Sequence, residues 1–77
     1  MAKLSLQRLL ENLPPYISVK NPDTNAQLEI RKIDTNFSQW FAHYKGDDGN
    51  DYYDTYGRTL IDTLQDLYNK LKKDEII

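Results

Sequence analysis

The sequence contains no cysteine and only one histidine, His43, among its 77 residues. Without cysteine the chain cannot form a disulfide, a thiolate zinc site or a cysteine nucleophile. One histidine cannot supply the paired imidazoles of a His-x-x-x-His metal site, and no local catalytic-triad signature accompanies it. A lone histidine on a strand is most often a half-exposed packing residue. We therefore expect no cofactor, no metal site, no catalytic residues and no enzymatic activity.

Long apolar runs are also missing. No segment approaches the roughly 18 apolar residues that a membrane span needs, and the N-terminal residues lack the apolar stretch of a secretory signal. Hydrophobic residues make up 39% of the chain and charged residues 29%, with a mean hydropathy of -0.77. This composition is typical of a soluble, folded protein. At this length we expect one domain over residues 1–77, located in the cytoplasm without membrane contact.

A short first helix is predicted near the N-terminus. Ser5 is a suitable N-cap, and Pro14 and Pro15 end the helix because proline lacks the amide donor. Four leucines of this segment fall on one helical face and are expected to point into the core: Leu6, Leu9, Leu10 and Leu13.

A second helix is predicted from Thr59 to about Lys73. Thr59 and Asp62 have the spacing of a capping box, and the lysines of the last turn suit the helix dipole. Residues 74–77 are expected to fray. One amphipathic stripe runs along this helix: Leu60, Ile61, Leu64, Leu67, Tyr68 and Leu71.

Three strands are predicted between the helices, at residues 16–20, 26–33 and 37–44. Alternation places Ile17 and Val19 of the first strand, and Leu28 and Ile30 of the second, toward the core. Short turns at residues 21–25 and 34–36 join the strands and imply an antiparallel meander. Residues 52–54 are a candidate for a short fourth strand, an alternative that the sequence leaves open.

The run 37–44 is the richest in β-forming residues and is predicted to be an inner strand. It contains the only tryptophan, Trp40, which we expect to be buried between the sheet and the helices. Aromatic residues occur on both faces of this strand, whereas a half-buried strand usually has one apolar and one polar face. Either helices cover both faces of the sheet, or one face presents aromatic surface to a partner.

The predicted fold class is therefore α+β, with the order α-β-β-β-(β)-α and a helix at each end packing on one antiparallel sheet. This order resembles the topology of double-stranded-RNA-binding domains. The basic helix start that such domains use against phosphate is missing, because Arg58 is the only base near Thr59. No functional residue of that family is carried over to this chain.

Acidic residues concentrate in one part of the chain. Residues 47–66 hold six acids against one base, whereas residues 1–46 carry a net charge of +2. Calcium binding is disfavoured because the spacing differs from that of an EF-hand loop. The competing interpretations are mimicry of a phosphate backbone, another protein-binding patch, or a solvated turn. The predicted partner-binding residues are Asp47, Asp48, Asp51, Tyr52, Tyr53 and Asp54.

The outer face of the sheet is the second candidate surface. Aromatics with bases on a sheet can stack single-stranded nucleic acid, and a homodimer or another protein interface is the alternative. The candidate residues are Tyr16, Arg31, Phe41 and His43. Taken together, the sequence predicts a non-enzymatic protein-binding domain of the regulatory or phage-inhibitor kind, anti-CRISPR-like for example, that engages a basic partner surface. A nucleic-acid-binding module that uses the outer sheet face is the less favoured hypothesis.

Overall fold

The computed structural model describes residues 3–20 and 23–77. Four strands form one antiparallel sheet in the order β1-β2-β3-β4, which confirms the predicted α+β meander and its fourth strand. Two residues of the turn predicted at 21–25, Asn21 and Pro22, lie outside the described residues. The elements are α1 (Leu6–Asn12), β1 (Tyr16–Val19), β2 (Thr24–Lys32), β3 (Trp40–Gly46), β4 (Asp51–Gly57) and α2 (Leu60–Lys73).

Both predicted N-caps are present. The Ser5 side chain accepts a hydrogen bond from the Arg8 amide, and the Thr59 side chain accepts one from the Asp62 amide. Each bond satisfies an amide that has no partner within the helix. The longer helix, α2, has 14 residues, and no helix in the described part of the chain is long and apolar enough to cross a membrane.

The C-terminal end of α2 is closed by hydrogen bonds. Glu75 has a φ of 59°, the Ile76 amide donates to the Leu71 carbonyl at 2.9 Å, and the Glu75 amide donates to the Lys72 carbonyl at 3.1 Å. This pattern is a Schellman motif, and Ile76 packs on the core as that motif favours. Fraying of residues 74–77, which the sequence predicts, therefore requires the loss of this cap.

The core lies between the two helices and one face of the sheet, which we call the covered face. Leu6 and Leu10 are exposed at 37% and 49%, so the prediction of a four-leucine core stripe on α1 is wrong. This helix of seven residues buries only Leu9, and Leu13, at its C-cap, is the other leucine of the predicted stripe that lies in the core. The buried hydrophobic residues are Leu9, Leu13, Ile17, Ala26, Ala42, Tyr44, Leu64, Leu67 and Leu71.

The strand β3 starts later than the sequence predicts. Phe37 lies in the preceding loop with 82% of its surface exposed, and Trp40 is only partly buried, so the prediction of a buried tryptophan is wrong. Trp40 occupies the first position of β3, beside Lys32, whose ammonium lies 5.8 Å from the ring centre. The aromatic residue in the core is Tyr44, which is 0% exposed and donates its hydroxyl to the Pro14 carbonyl at 2.7 Å.

Candidate functional site on the open sheet face

The sheet face opposite the core, here called the open face, unites the two surfaces predicted from the sequence. The register pairs Glu29 with His43 and Arg31 with Phe41 across β2 and β3. Side chains of paired residues lie on the same face of a sheet. Phe41 and Lys45 of β3 pair in turn with Tyr56 and Asp51 of β4. Acidic residues of the segment after β3 therefore lie beside the predicted aromatic sheet face.

A β-bulge at Tyr53 creates this arrangement. The pairing of β3 with β4 shifts between Ala42 and Tyr44, and Tyr53 has a φ of 57°, a left-handed conformation uncommon outside glycine. In a regular strand, Asp51 and Asp54 are three residues apart and would point to opposite faces. The extra residue reverses the alternation, so that both carboxylates reach the open face and approach His43.

His43 is the most deeply buried residue of this face, with an exposure of 3%. The prediction of a half-exposed packing histidine is therefore wrong. Its Nε2 lies 3.1 Å from a Glu29 carboxylate oxygen, a hydrogen bond in which Nε2 must be the donor because the carboxylate can only accept. Its Nδ1 faces Asp51 Oδ1 at 3.0 Å and Asp54 Oδ1 at 4.0 Å.

The contact of Nδ1 with Asp51 is close but does not have the geometry of a hydrogen bond. The Nδ1 atom is buried and has no hydrogen-bond partner, although the Asp51 oxygen is 3.0 Å away. Angle as well as distance decides a hydrogen bond, so the short distance records proximity only. The Nδ1 atom therefore faces the carboxylates of Asp51 and Asp54 without a hydrogen bond to either.

Aromatic rings extend the site along the sheet. The Phe41 ring lies 4.4 Å from the His43 ring and 4.7 Å from the Tyr56 ring, measured between centroids, and the second pair is stacked. Tyr56 leaves 55% of its surface exposed. Arg31 is exposed beside Phe41, whereas Tyr16, 64% exposed, lies on the distant edge strand β1.

The β3–β4 hairpin turn carries the next two acids, Asp47 and Asp48, both exposed. Asp48 accepts hydrogen bonds from the Asn50 amide at 3.0 Å and from the Tyr52 hydroxyl at 2.6 Å. The Tyr52 bond is the main reason that the pKa of Asp48 is lowered and that of Tyr52 is raised. Asp48 therefore shapes the turn, while the exposed Asp47 side chain makes no hydrogen bond to any of the described residues.

The two predicted interface tyrosines of β4 pack largely against the core. Tyr52 and Tyr53 are half-buried and contact the hydrophobic cluster of the covered face. The Tyr53 hydroxyl donates to Asp74 at 2.9 Å, and burial, followed by this bond, raises the pKa of Tyr53. Of the six residues predicted for partner binding, the four aspartates are exposed and the two tyrosines have a packing role.

Two residues of the site were not among the predicted ones, namely Glu29 and Tyr56. Alternation along β2 already places Glu29 on the outer face, but only the register shows that it faces His43. The bulge at Tyr53 places Tyr56 on the open face, and no residue type in this segment predicts a bulge.

Comparison with known proteins identifies no relative: no protein-family model, no curated protein and no solved structure matches this chain.

Proposed function

We propose that this protein is a cytoplasmic, non-enzymatic protein-binding domain that inhibits or regulates a larger partner by engaging a basic surface. The observation that supports this most directly is the composition of the open face near β4. Exposed carboxylates of Asp51 and Asp54 border the stacked pair of Phe41 and Tyr56. Aromatic anchors beside charged groups are typical of protein interfaces.

Electrostatics supports a basic partner. Residues 47–57 form the hairpin turn and β4 and contain four aspartates without a lysine or arginine. Lys45 and Lys70 contact this region from neighbouring elements, at 3.4 Å to an Asp51 oxygen and 2.6 Å to the Asp54 carbonyl oxygen. The remaining negative potential attracts a positive surface and accelerates association with it.

A partner that handles nucleic acid is one class that fits. Carboxylates spaced along a surface can occupy a groove that normally binds phosphates, and the protein would then act as a competitive inhibitor. Phage-borne inhibitors of the anti-CRISPR kind illustrate this mode of action. A homodimer through the open face would use the same aromatic pair, Phe41 and Tyr56.

The second candidate function is nucleic-acid binding on the open face. Arg31 and the aromatic pair favour it, since bases stack on exposed rings and phosphates pair with arginine. Glu29, Asp51 and Asp54 on the same face oppose it, because carboxylates repel the phosphate backbone. Protein binding is accordingly the better supported proposal.

The decisive experiment is affinity capture with charge-reversal variants. Asp47→Lys/Asp54→Lys changes two exposed side chains that make no hydrogen bond in the described structure. The matched control, Asp23→Lys/Asp66→Lys, applies the same change of charge to exposed residues outside the hairpin turn and β4, residues 47–57. Captured proteins are identified by mass spectrometry for the parent chain and both variants, and thermal melting checks that each variant is folded.

We expect one set of basic proteins to be retained by the parent and by the control, and lost by Asp47→Lys/Asp54→Lys. With the purified partner, the association rate should fall at least tenfold at low salt, because the lost attraction acts on the encounter. Equal capture by all three folded chains would refute a role for the acidic segment. Binding to random single-stranded RNA that weakens steeply with salt would favour the second function.

A further inference from the structure

Three potential ligand atoms converge on one point of the open face. The Nδ1 atom of His43 and carboxylate oxygens of Asp51 and Asp54 all lie within 4.8 Å of one another. The three residues come from two adjacent strands, and the bulge at Tyr53 is what brings the two aspartates to the same side. Acidic groups cluster on many protein surfaces, so this proximity alone carries little weight.

The buried histidine is the observation that distinguishes this cluster. His43 is 3% exposed, and its Nδ1 is buried without a hydrogen-bond partner. A buried polar atom without a hydrogen-bond partner lowers the stability of the folded state. The atom faces the two carboxylates, so a cation between the three groups would satisfy the lone pair and neutralise the charge at once.

Glu29 prepares the ring for such a cation. Its carboxylate oxygen lies 3.1 Å from Nε2, where it would accept the N–H of a ring that binds a cation through Nδ1. Histidines that ligate metals usually donate their other N–H to a carboxylate or carbonyl, and this partner orients the ring. The Phe41 ring, 4.4 Å from His43 between centroids, restricts the imidazole further.

The spacing of the ligands fits a small cation after a minor adjustment. Ligand atoms at about 2.0–2.2 Å from a metal lie roughly 3–3.5 Å from each other. The Nδ1–Asp51 distance is 3.0 Å, and the Nδ1–Asp54 distance of 4.0 Å has to shorten. The two aspartate side chains are 38% and 45% exposed and can rotate, whereas the histidine is held in place.

We propose that His43, Asp51 and Asp54 bind a divalent transition-metal cation, with Zn²⁺ as the favoured ion, and that Glu29 is the positioning residue for His43. An imidazole nitrogen with two carboxylates suits Zn²⁺ better than Ca²⁺ or Mg²⁺, which prefer oxygen ligands alone. Three protein ligands leave at least one coordination position open toward the exposed side of the sheet.

Lys45 competes with the metal for Asp51. Its ammonium lies 3.4 Å from the same Asp51 oxygen that approaches Nδ1. The Lys45 side chain is 44% exposed and can move away, but its positive charge opposes the cation. Lys45→Gln should therefore bind Zn²⁺ several-fold more tightly than the parent chain.

The experiment is titration of the full chain with zinc chloride by calorimetry, in a buffer free of chelating ions. His43 is the only histidine and the chain has no cysteine, so no other side chain offers the nitrogen or sulfur ligands that zinc prefers. The variants are Asp51→Asn/Asp54→Asn, which removes two ligands, and Glu29→Gln, which keeps the ligands. The control, Asp47→Asn/Asp66→Asn, removes two exposed charges elsewhere. Thermal melting without metal shows that each variant folds.

We expect the parent to bind one Zn²⁺ and the control to bind within about twofold of it. Asp51→Asn/Asp54→Asn should lose at least tenfold in affinity, and Glu29→Gln about 10–100-fold, the usual effect of removing the partner of a ligating histidine. The nitrogen NMR signal of His43 Nδ1 should shift on zinc addition while Nε2 keeps its proton. Tm should rise with zinc concentration, because the ion binds the folded chain.

Two results would overturn the proposal. If the control loses as much affinity as Asp51→Asn/Asp54→Asn, zinc is attracted only by the overall negative charge. If zinc leaves the Nδ1 signal unchanged, or the signal is that of a doubly protonated ring, His43 serves as an ion-pair partner of the carboxylates. Neither result bears on capture of a protein partner, which Asp47→Lys alone tests separately because Asp47 is not one of the three ligands.

Discussion

The two faces of the sheet are buried by different means. On the covered face, Ala42 and Tyr44 are shielded by the helices, and leucines of α1 and α2 surround them. On the open face, His43 is equally inaccessible, yet its shielding comes from neighbouring side chains of the sheet itself, including Phe41 and Glu29. One strand, β3, thus carries an apolar interior on one side and a buried polar group on the other.

This difference predicts that the two faces contribute unequally to stability. The covered face excludes water from apolar side chains, which is the main source of folding free energy. The open face surrounds a polar ring with three carboxylates, from Glu29, Asp51 and Asp54, an arrangement that contributes little to stability by itself. Substitutions on the two faces should therefore differ in what they change.

The largest expected effect is on the covered face. Leu64→Ala removes a fully buried side chain from the middle of α2 and should lower the free energy of unfolding by about 2–5 kcal/mol. Asp66→Ala, on the exposed side of the same helix, should change it by less than about 0.5 kcal/mol. Urea denaturation measures both. Equal losses would mean that α2 packs against the sheet in another orientation.

A smaller effect is expected on the open face. Phe41→Ala removes a ring that contacts both His43 and Tyr56, and should cost about 1–2 kcal/mol because the ring is only partly buried. It should also expose the His43 ring, which hydrogen exchange and the imidazole NMR signals can detect. A cost equal to that of Leu64→Ala would show that the open face is a second core.

The smallest effect concerns a buried hydrogen bond of the covered face. Tyr44→Phe removes the hydroxyl that donates to the Pro14 carbonyl and should cost about 1 kcal/mol near neutral pH. Burial raises the pKa of Tyr44 from its ordinary value of 10.0. A tyrosine with a raised pKa stabilises the folded state fully below the unfolded pKa, and this contribution is lost as the pH rises above it.

The raised pKa of Tyr44 predicts how stability changes at alkaline pH. Above about pH 10 the unfolded tyrosine ionises and the folded one does not, so the parent should lose stability there. The Tyr44→Phe variant lacks this titration, and its deficit relative to the parent should shrink as the pH rises. Urea midpoints between neutral and strongly alkaline pH measure the deficit. A constant deficit would indicate that Tyr44 is accessible to solvent in the folded protein.

Local patterns in the sequence were sufficient to predict most of the fold. Ser5 and Thr59 are read as caps from their immediate neighbours, and alternation alone orients Ile17, Val19 and Leu28. The predictions that are wrong concern where a residue lies relative to elements distant in the sequence. Which of Trp40 and Tyr44 lies under the helices depends on where the helices end, and a period-2 pattern carries no such information.

The candidate site was predictable only in part. Its aspartates, its phenylalanine and its histidine were all identified, but as members of two separate surfaces. Their convergence depends on the bulge at Tyr53, a single left-handed residue that moves Asp54 and Tyr56 to the other face. Because a tyrosine seldom adopts this conformation, the residue type gives no signal for it. The approach of Asp54 to His43 follows from the same shift.

The bulge at Tyr53 also bears on how this chain avoids aggregation. Strand β4 is an edge of the sheet, and an unbroken edge can pair with the edge of another copy. The bulge interrupts the regular spacing of backbone groups. The Lys70 ammonium donates a hydrogen bond to the Asp54 carbonyl oxygen at 2.6 Å, so this oxygen already has a partner. At the opposite edge, β1 has only four residues. Both edges are thus poor templates for strand addition, and we expect the sheet to resist growth into fibrils even at high protein concentration.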